Sequence, residues 1–103
     1  MNASTQLARN IVLQLIGNGV TDVVISPGSR NAALSIALYA ADEKGLLQLH
    51  VRIDERTAAF FALGIGKASG RPVAIVCTSG TAVANYHPGC LGAKRLQAPP
   101  FGF

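Results

Sequence analysis

The sequence predicts an α/β fold, a parallel sheet with helices on both faces. Short β-branched runs at residues 22–26 and 72–78 are bounded by turn residues and read as buried strands. Between and before them, apolar residues recur at helical spacing. The resulting order αβαβαβ, with right-handed crossovers, makes successive strands parallel. Half of the 103 residues are hydrophobic and 14% are charged, so the chain can bury enough apolar surface to offset its ordering entropy.

Ser4 or Thr5 is placed to cap a first helix, along which Leu7, Ile11, Leu15 and their neighbours Val12 and Ile16 recur. Residues 17–19 end it with two glycines. Val23, Val24 and Ile25 form the first strand, stopped by Pro27 and Gly28. Asn31 is expected to cap a second helix running to about Ala41, with Ala33, Leu34, Ala37 and Leu38 inward and residues 42–45 as an exposed connection. Residues 47–51 alternate and read as a second strand. From Asp54, the spacing of Ala58, Phe61, Ala62 and Ile65 predicts a third helix ending near Gly70. Residues 72–78 are the third strand, and a further helix is expected to open at Ala82. Residues 89–103 hold neither period and are expected to be irregular.

The net charge of +4 and pI near 9.6 do not imply nucleic-acid binding. The bases are scattered singly except for Lys94 and Arg95, with no basic stripe or interleaved aromatics. Cys77 and Cys90 are too far apart for a CxxC unit, and no Cys/His cluster has zinc-ligand spacing, so no metal site is expected within the chain. The N-terminus lacks a signal-peptide pattern, and no window reaches the ~18 apolar residues of a membrane span. The expected location is cytoplasmic.

Ligands of open parallel sheets bind outside the carboxyl ends of the strands. Three polar segments fall there, and each precedes a helix with free N–H groups: Ser26 to Arg30, Arg52 to Arg56, and Thr78 to Thr81. Ser29 and Arg30 are either a helix-entry turn with a solvated arginine or a guanidinium aimed at a substrate carboxylate. Thr78, Ser79, Gly80 and Thr81 either cap the following helix or meet a ligand, and they lack the spacing of a triphosphate loop. Asp54 and Glu55 lie at a helix start, where capping accounts for one of them, and between Arg52 and Arg56 the two acids are either a surface salt-bridge cluster or leave Glu55 as a candidate for acid–base chemistry. His50 faces a helix or solvent. Neither it nor His87 stands at a diagnostic spacing from a nucleophile.

In that order, "ISPGSRNAAL" and "HVRIDERTAAFFALGIGKASGRPVAIVCTSGTAVAN" resemble the N-terminal region of thiamine-diphosphate-dependent enzymes. The resemblance covers residues 3 to about 88 and is closest to the carboligases that form 2-succinyl-5-enolpyruvyl-6-hydroxy-3-cyclohexene-1-carboxylate (SEPHCHC) in menaquinone (vitamin K2) synthesis. It implies a partial pyrimidine-binding domain over residues 1–88. It implies that Glu55 is catalytic and contacts the cofactor's aminopyrimidine nitrogen, and that Ser29 and Arg30 bind carboxylate substrates. Thr78, Ser79, Gly80 and Thr81 would lie near the cofactor. The implied substrates are 2-oxoglutarate and isochorismate, and the implied cofactors are thiamine diphosphate and Mg2+. The metal and diphosphate would be held by a domain this chain does not contain, and the full-length family forms homo-oligomers.

Past Asn85 the family continues through Pro-Ala and an apolar helix, whereas here Pro88 leads into Gly89, Cys90 and a tail unlike the family. The expectation is therefore a truncated domain, inactive alone because Glu55 would face water. Two other readings stand beside it: a small non-catalytic α/β module that holds an anionic metabolite, and a piece that does not fold alone.

Overall fold

The computed structural model describes residues 3–28, 31–77 and 85, and the backbone of residues 101 and 102. Helix α1 (Ala3–Gly17) leads to strand β1 (Asp22–Ile25), then α2 (Ala32–Glu43), β2 (Gln48–Val51), α3 (Glu55–Ser69), β3 (Val73–Val76) and a two-residue β4 (Phe101–Gly102). All pairings are parallel, in the order β2-β1-β3-β4. The predicted α/β architecture is present, and β1 is its centre. Asp22 pairs with Gln48 on one side and Val73 on the other, and Ile25 pairs with Val51 and Val76.

Alternation along the strands divides the core in two. Val23, Ile25, Ala74 and Val76 face Val12 of α1 and Leu38 and Ala41 of α2, while Leu15, Leu34, Ala37 and Leu49 pack around them. Val24, Val73 and Ile75 face Ala58, Ala59 and Ala62 of α3, with Phe61 and Ile65 alongside. The alanines let α3 approach the sheet closely, and all three are fully buried. Helices therefore cover both faces, as a parallel sheet requires.

The helix ends follow backbone chemistry. After α1, Gly19 N–H donates to Ile16 O at 3.1 Å and Val20 N–H to Leu15 O at 3.0 Å. After α2, Gly45 N–H donates to Asp42 O and Leu46 N–H to Ala41 O, each at 3.0 Å. Both are Schellman closures, and both need the left-handed backbone that Gly19 (φ 84°) and Gly45 (φ 73°) supply without strain.

Several boundaries differ from the sequence expectation. Ser4 and Thr5 lie inside α1, which begins at Ala3, so neither is its cap. Helix α2 extends to Glu43, because its closure uses the carbonyls of Ala41 and Asp42, and residues 42 and 43 belong to its last turn. Within the tail expected to be irregular, Phe101 and Gly102 pair with Val73 and Ala74, a long-range partnership that local composition does not signal. The helix expected from Ala82 lies outside the described residues. Among the described residues, no helix is long and apolar enough to cross a membrane.

Candidate functional site

The strand order creates the site. From β1 the chain moves through α2 to β2 on one side, and from β2 it returns through α3 to β3 on the other. With right-handed crossovers, opposite directions of travel put α2 and α3 on opposite faces, as the two core clusters show. The connections leaving adjacent β1 and β2 thus diverge at their carboxyl ends. In a sheet ordered β2-β1-β3 the switch point lies between β1 and β3, and ligands of open parallel sheets bind outside the carboxyl ends of the strands. The described residues at the ends of β1 and β2 are 26–28 and 52–55, joined at the root by Arg52 N–H donating to Ile25 O at 3.0 Å.

On the β2 side, the structure separates the two acids that the sequence left undivided. Asp54 is the N-cap of α3, and its Oδ2 accepts from Thr57 N–H at 2.9 Å and from Thr57 Oγ1 at 2.6 Å. These bonds, the hydroxyl's first and the backbone's second, hold the Asp54 carboxyl below the usual carboxylate range. Glu55 is the first helical residue, half-buried, and has no hydrogen bond or ion pair among the described residues. Capping therefore occupies Asp54, and among the described residues the Glu55 carboxylate is uncommitted.

A test follows for the cap. Asp54→Ala is expected to lower the melting temperature near neutral pH, because the Thr57 N–H loses its acceptor. The folded pKa is depressed, so the wild type's advantage is fully present above the ordinary value of 3.8 and is lost as the pH falls through the lower folded value. Thermal unfolding followed by circular dichroism across that range checks it; a gap between the two proteins that persists in acid would contradict the assignment.

The β2 side is braced from behind. His50 Nε2 lies 3.0 Å from Asp22 Oδ1 across the β1–β2 pair, and its ring meets Phe61 of α3 edge-on, with centroids 5.2 Å apart. Arg52 stacks its guanidinium over the same Phe61 ring at 4.1 Å and donates to Val51 O at 2.7 Å. His50 thus faces a helix, one of its two expected environments, and Arg52 is engaged just before the Asp54 and Glu55 turn.

On the β1 side, Ser26 continues the ladder by donating its N–H to Val76 O at 2.8 Å. Its hydroxyl is buried, 1% exposed, and has no hydrogen-bond partner among the described residues. A buried hydroxyl left without a partner costs about 1–3 kcal/mol, so its presence at the end of β1 calls for an explanation. Asn31 was expected as a helix cap and occupies the N-cap position of α2, yet its side chain caps nothing. It turns back on the loop, accepting from Gly28 N–H and donating to Ser26 O. Sequence reasoning missed this role because asparagine before a helix ordinarily signals a cap.

Ser29, Arg30, Thr78, Ser79, Gly80 and Thr81 lie outside the described residues. Among the described residues, no group of three or more His, Cys, Asp or Glu gathers in a way that could hold a metal ion. An apolar cavity of about 310 Å³ opens between α1 and α2, lined by residues such as Val12, Ile16, Ile36 and Ala37. None of residues 26–28 or 52–55 lines it.

Comparison with known proteins decides the family. The model described as thiamine pyrophosphate enzyme, N-terminal TPP binding domain, matches residues 5–100. The chain belongs to this family. The match runs past Pro88 into the stretch that reads as unlike the family in sequence. Among similar proteins are the 2-succinyl-5-enolpyruvyl-6-hydroxy-3-cyclohexene-1-carboxylate synthases of Saccharopolyspora erythraea, 60% identical, Rhodococcus opacus, 57%, and Nocardia farcinica, 56%. Each comparison runs over 99 residues, 96% of this chain and 18% of the relative. The chain thus spans about a fifth of the length of the curated relatives it matches. Within this thiamine pyrophosphate enzyme domain, residues 26–28 and 52–55 lie at the carboxyl ends of β1 and β2.

Proposed function

We propose that the chain is the pyrimidine-binding part of a thiamine-diphosphate-dependent carboligase of menaquinone synthesis. The reaction is decarboxylation of 2-oxoglutarate and addition of the remaining succinyl-semialdehyde unit to isochorismate, giving SEPHCHC. The observation that carries this reading is the strand-end carboxylate Glu55, relieved of capping by Asp54, in a chain that is 54–60% identical to SEPHCHC synthases over 96% of its length.

The residues present suit the aminopyrimidine. Glu55 stands at the end of β2 with its carboxyl uncommitted among the described residues, and the Ser26 hydroxyl at the end of β1, also without a partner among them, adds a second polar group. Thiamine diphosphate, when bound, supplies a thiazolium carbon that becomes nucleophilic on losing its proton. Glu55 would share a proton with the pyrimidine ring nitrogen, and a carboxyl does this best in a dry pocket. Ser29 and Arg30 grip substrate carboxylates, the guanidinium in two places at once. Thr78, Ser79, Gly80 and Thr81 border the cofactor. The diphosphate and Mg2+ fall to a separate domain, contributed by a second subunit of a homo-oligomer, and that domain dries the pocket around Glu55.

The test compares this chain with the same domain joined to the remaining domains of the Saccharopolyspora erythraea relative. Carbon dioxide release from 2-oxoglutarate and adduct formation with isochorismate are followed with and without thiamine diphosphate and Mg2+. Cofactor-dependent turnover in the completed protein only is the expected result. A completed protein that folds yet stays inactive would remove the carboligase reading and leave a non-catalytic anion-binding module.

A further inference from the structure

Helices α1 and α2 pack on the same face of the sheet and leave a hollow between them. Ala33, Ala37 and Ala40 recur on one side of α2 and line it, and a methyl group at each position leaves open the space a longer side chain would fill. The cavity measures about 310 Å³, at the lower end of the ~300–1,000 Å³ usual for small-ligand sites. Its walls are Leu13 and Ile16 of α1, Ile36 of α2, and Leu46 just beyond α2. Leu13 is 63% exposed, Ile36 69% and Leu46 49%. Single exposed apolar side chains are ordinary, but three that converge on one hollow form a patch that suits an apolar ligand.

The charge around the hollow has one sign. Arg9 of α1 and Lys44 at the C-cap of α2 both line it, and among the described residues no acid does. Asp42 and Glu43 precede Lys44 in sequence but do not line the cavity, and Glu43 meets the Tyr39 hydroxyl instead. The hollow is also long. From Ala33 to Lys44 an α-helix rises roughly 16 Å, at about 1.5 Å per residue. Spread over that length, the volume admits a narrow chain and not a partner's helix, which is about 10 Å across.

We infer that the groove between α1 and α2 binds an elongated amphipathic carboxylate, its apolar chain laid along the alanines between Leu13 and Ile36 and its anionic head drawn to the cations Arg9 and Lys44. Neither Ser26 nor Glu55 lines this groove, so the inference does not rest on the proposed carboligase function.

The experiment uses the completed protein, this chain joined to the remaining domains of the Saccharopolyspora erythraea relative. It is titrated calorimetrically with decanoate below its micelle-forming concentration, and with decyltrimethylammonium, which carries a chain of equal length and the opposite charge. Saturable binding of decanoate is expected, one molecule per subunit and about ten-fold or more tighter than the cation, weakening as salt is raised. Lys44→Glu and Arg9→Glu reverse the two positive charges, and together they are expected to lower decanoate affinity about ten-fold or more. Ile36→Glu sets an acid in the apolar wall and is expected to weaken decanoate as well; because Ile36 is exposed, the fold should tolerate it. Melting curves of every variant accompany the titrations. If the double variant does not fold, Ile36→Glu and Lys44→Glu taken singly decide the matter. Equal binding of the two probes, or decanoate affinity unchanged across the variants, overturns the inference. So does absence of saturable binding by the folded completed protein, which would leave the groove as a contact surface for another part of that protein. Binding is read whether or not 2-oxoglutarate is turned over, so failure here and failure of the carboligase reading are separate results.

Discussion

Glu55→Gln is expected to lower thiamine-diphosphate-dependent turnover of the completed enzyme by about 10²- to 10⁴-fold, the usual contribution of a positioned acid–base group. The substitution keeps the side chain's length and hydrogen-bonding capacity and removes its ability to hold and release a proton. Stability should scarcely move, within about 0.5 kcal/mol, because Glu55 is half-buried and the α3 cap is made by Asp54. That division makes the pair informative: Asp54→Ala weakens the helix start, whereas Glu55→Gln weakens the chemistry. Steady-state kinetics and melting curves on both variants decide it. Full turnover in Glu55→Gln, or a loss accompanied by unfolding, would contradict the role given to Glu55.

Leu38→Ala is expected to have the largest effect on the fold. Leu38 is 0% exposed and belongs to the cluster that joins Val12 of α1, Val23 and Ile25 of β1 and Val76 of β3. Deleting its branched side chain removes apolar burial and leaves a cavity, together costing about 2–5 kcal/mol. Single domains hold only about 5–15 kcal/mol in all. The melting temperature should therefore drop by roughly 10 °C or more. Ile36, two residues earlier on the same helix, is 69% exposed, and Ile36→Ala should fall within about 0.5 kcal/mol of the wild type. Urea unfolding of the two variants provides the check. Equal effects would mean that α2 does not present Leu38 to the sheet.

The central elements were legible in the sequence for a simple reason. Strands β1 and β3 are buried on both faces, so nearly every position must be apolar and β-branched residues crowd together. Helix α3 was equally clear, since Asp54 and the apolar spacing from Ala58 onward agree on its start and its inner face. Helix ends were less so. The first turn of α1 tolerates serine and threonine inside it, and α2 continues through polar residues because its backbone closure, not its hydrophobic pattern, ends it.

The site divides along the same line. Sequence placed Glu55 and Asp54 at a strand end but could not assign the cap between them, since both are acids in a helix's first turn. Asn31 was read from its local preference, and its true partners, Ser26 O and Gly28 N–H, depend on how the loop folds back. His50 and Asp22 meet at 3.0 Å although 28 residues separate them, a pairing that only the β1–β2 register creates.

By itself, then, the sequence determined the fold class and the order of the helices and strands through β3, and marked candidate residues for the chemistry, because hydrophobic period and residue type act within a few positions along the chain. Only the tertiary structure decided that β1 lies between β2 and β3, and that Asp54 caps while Glu55, among the described residues, stands uncommitted. Those outcomes follow from strand order and from hydrogen bonds whose geometry is settled only when the elements have packed.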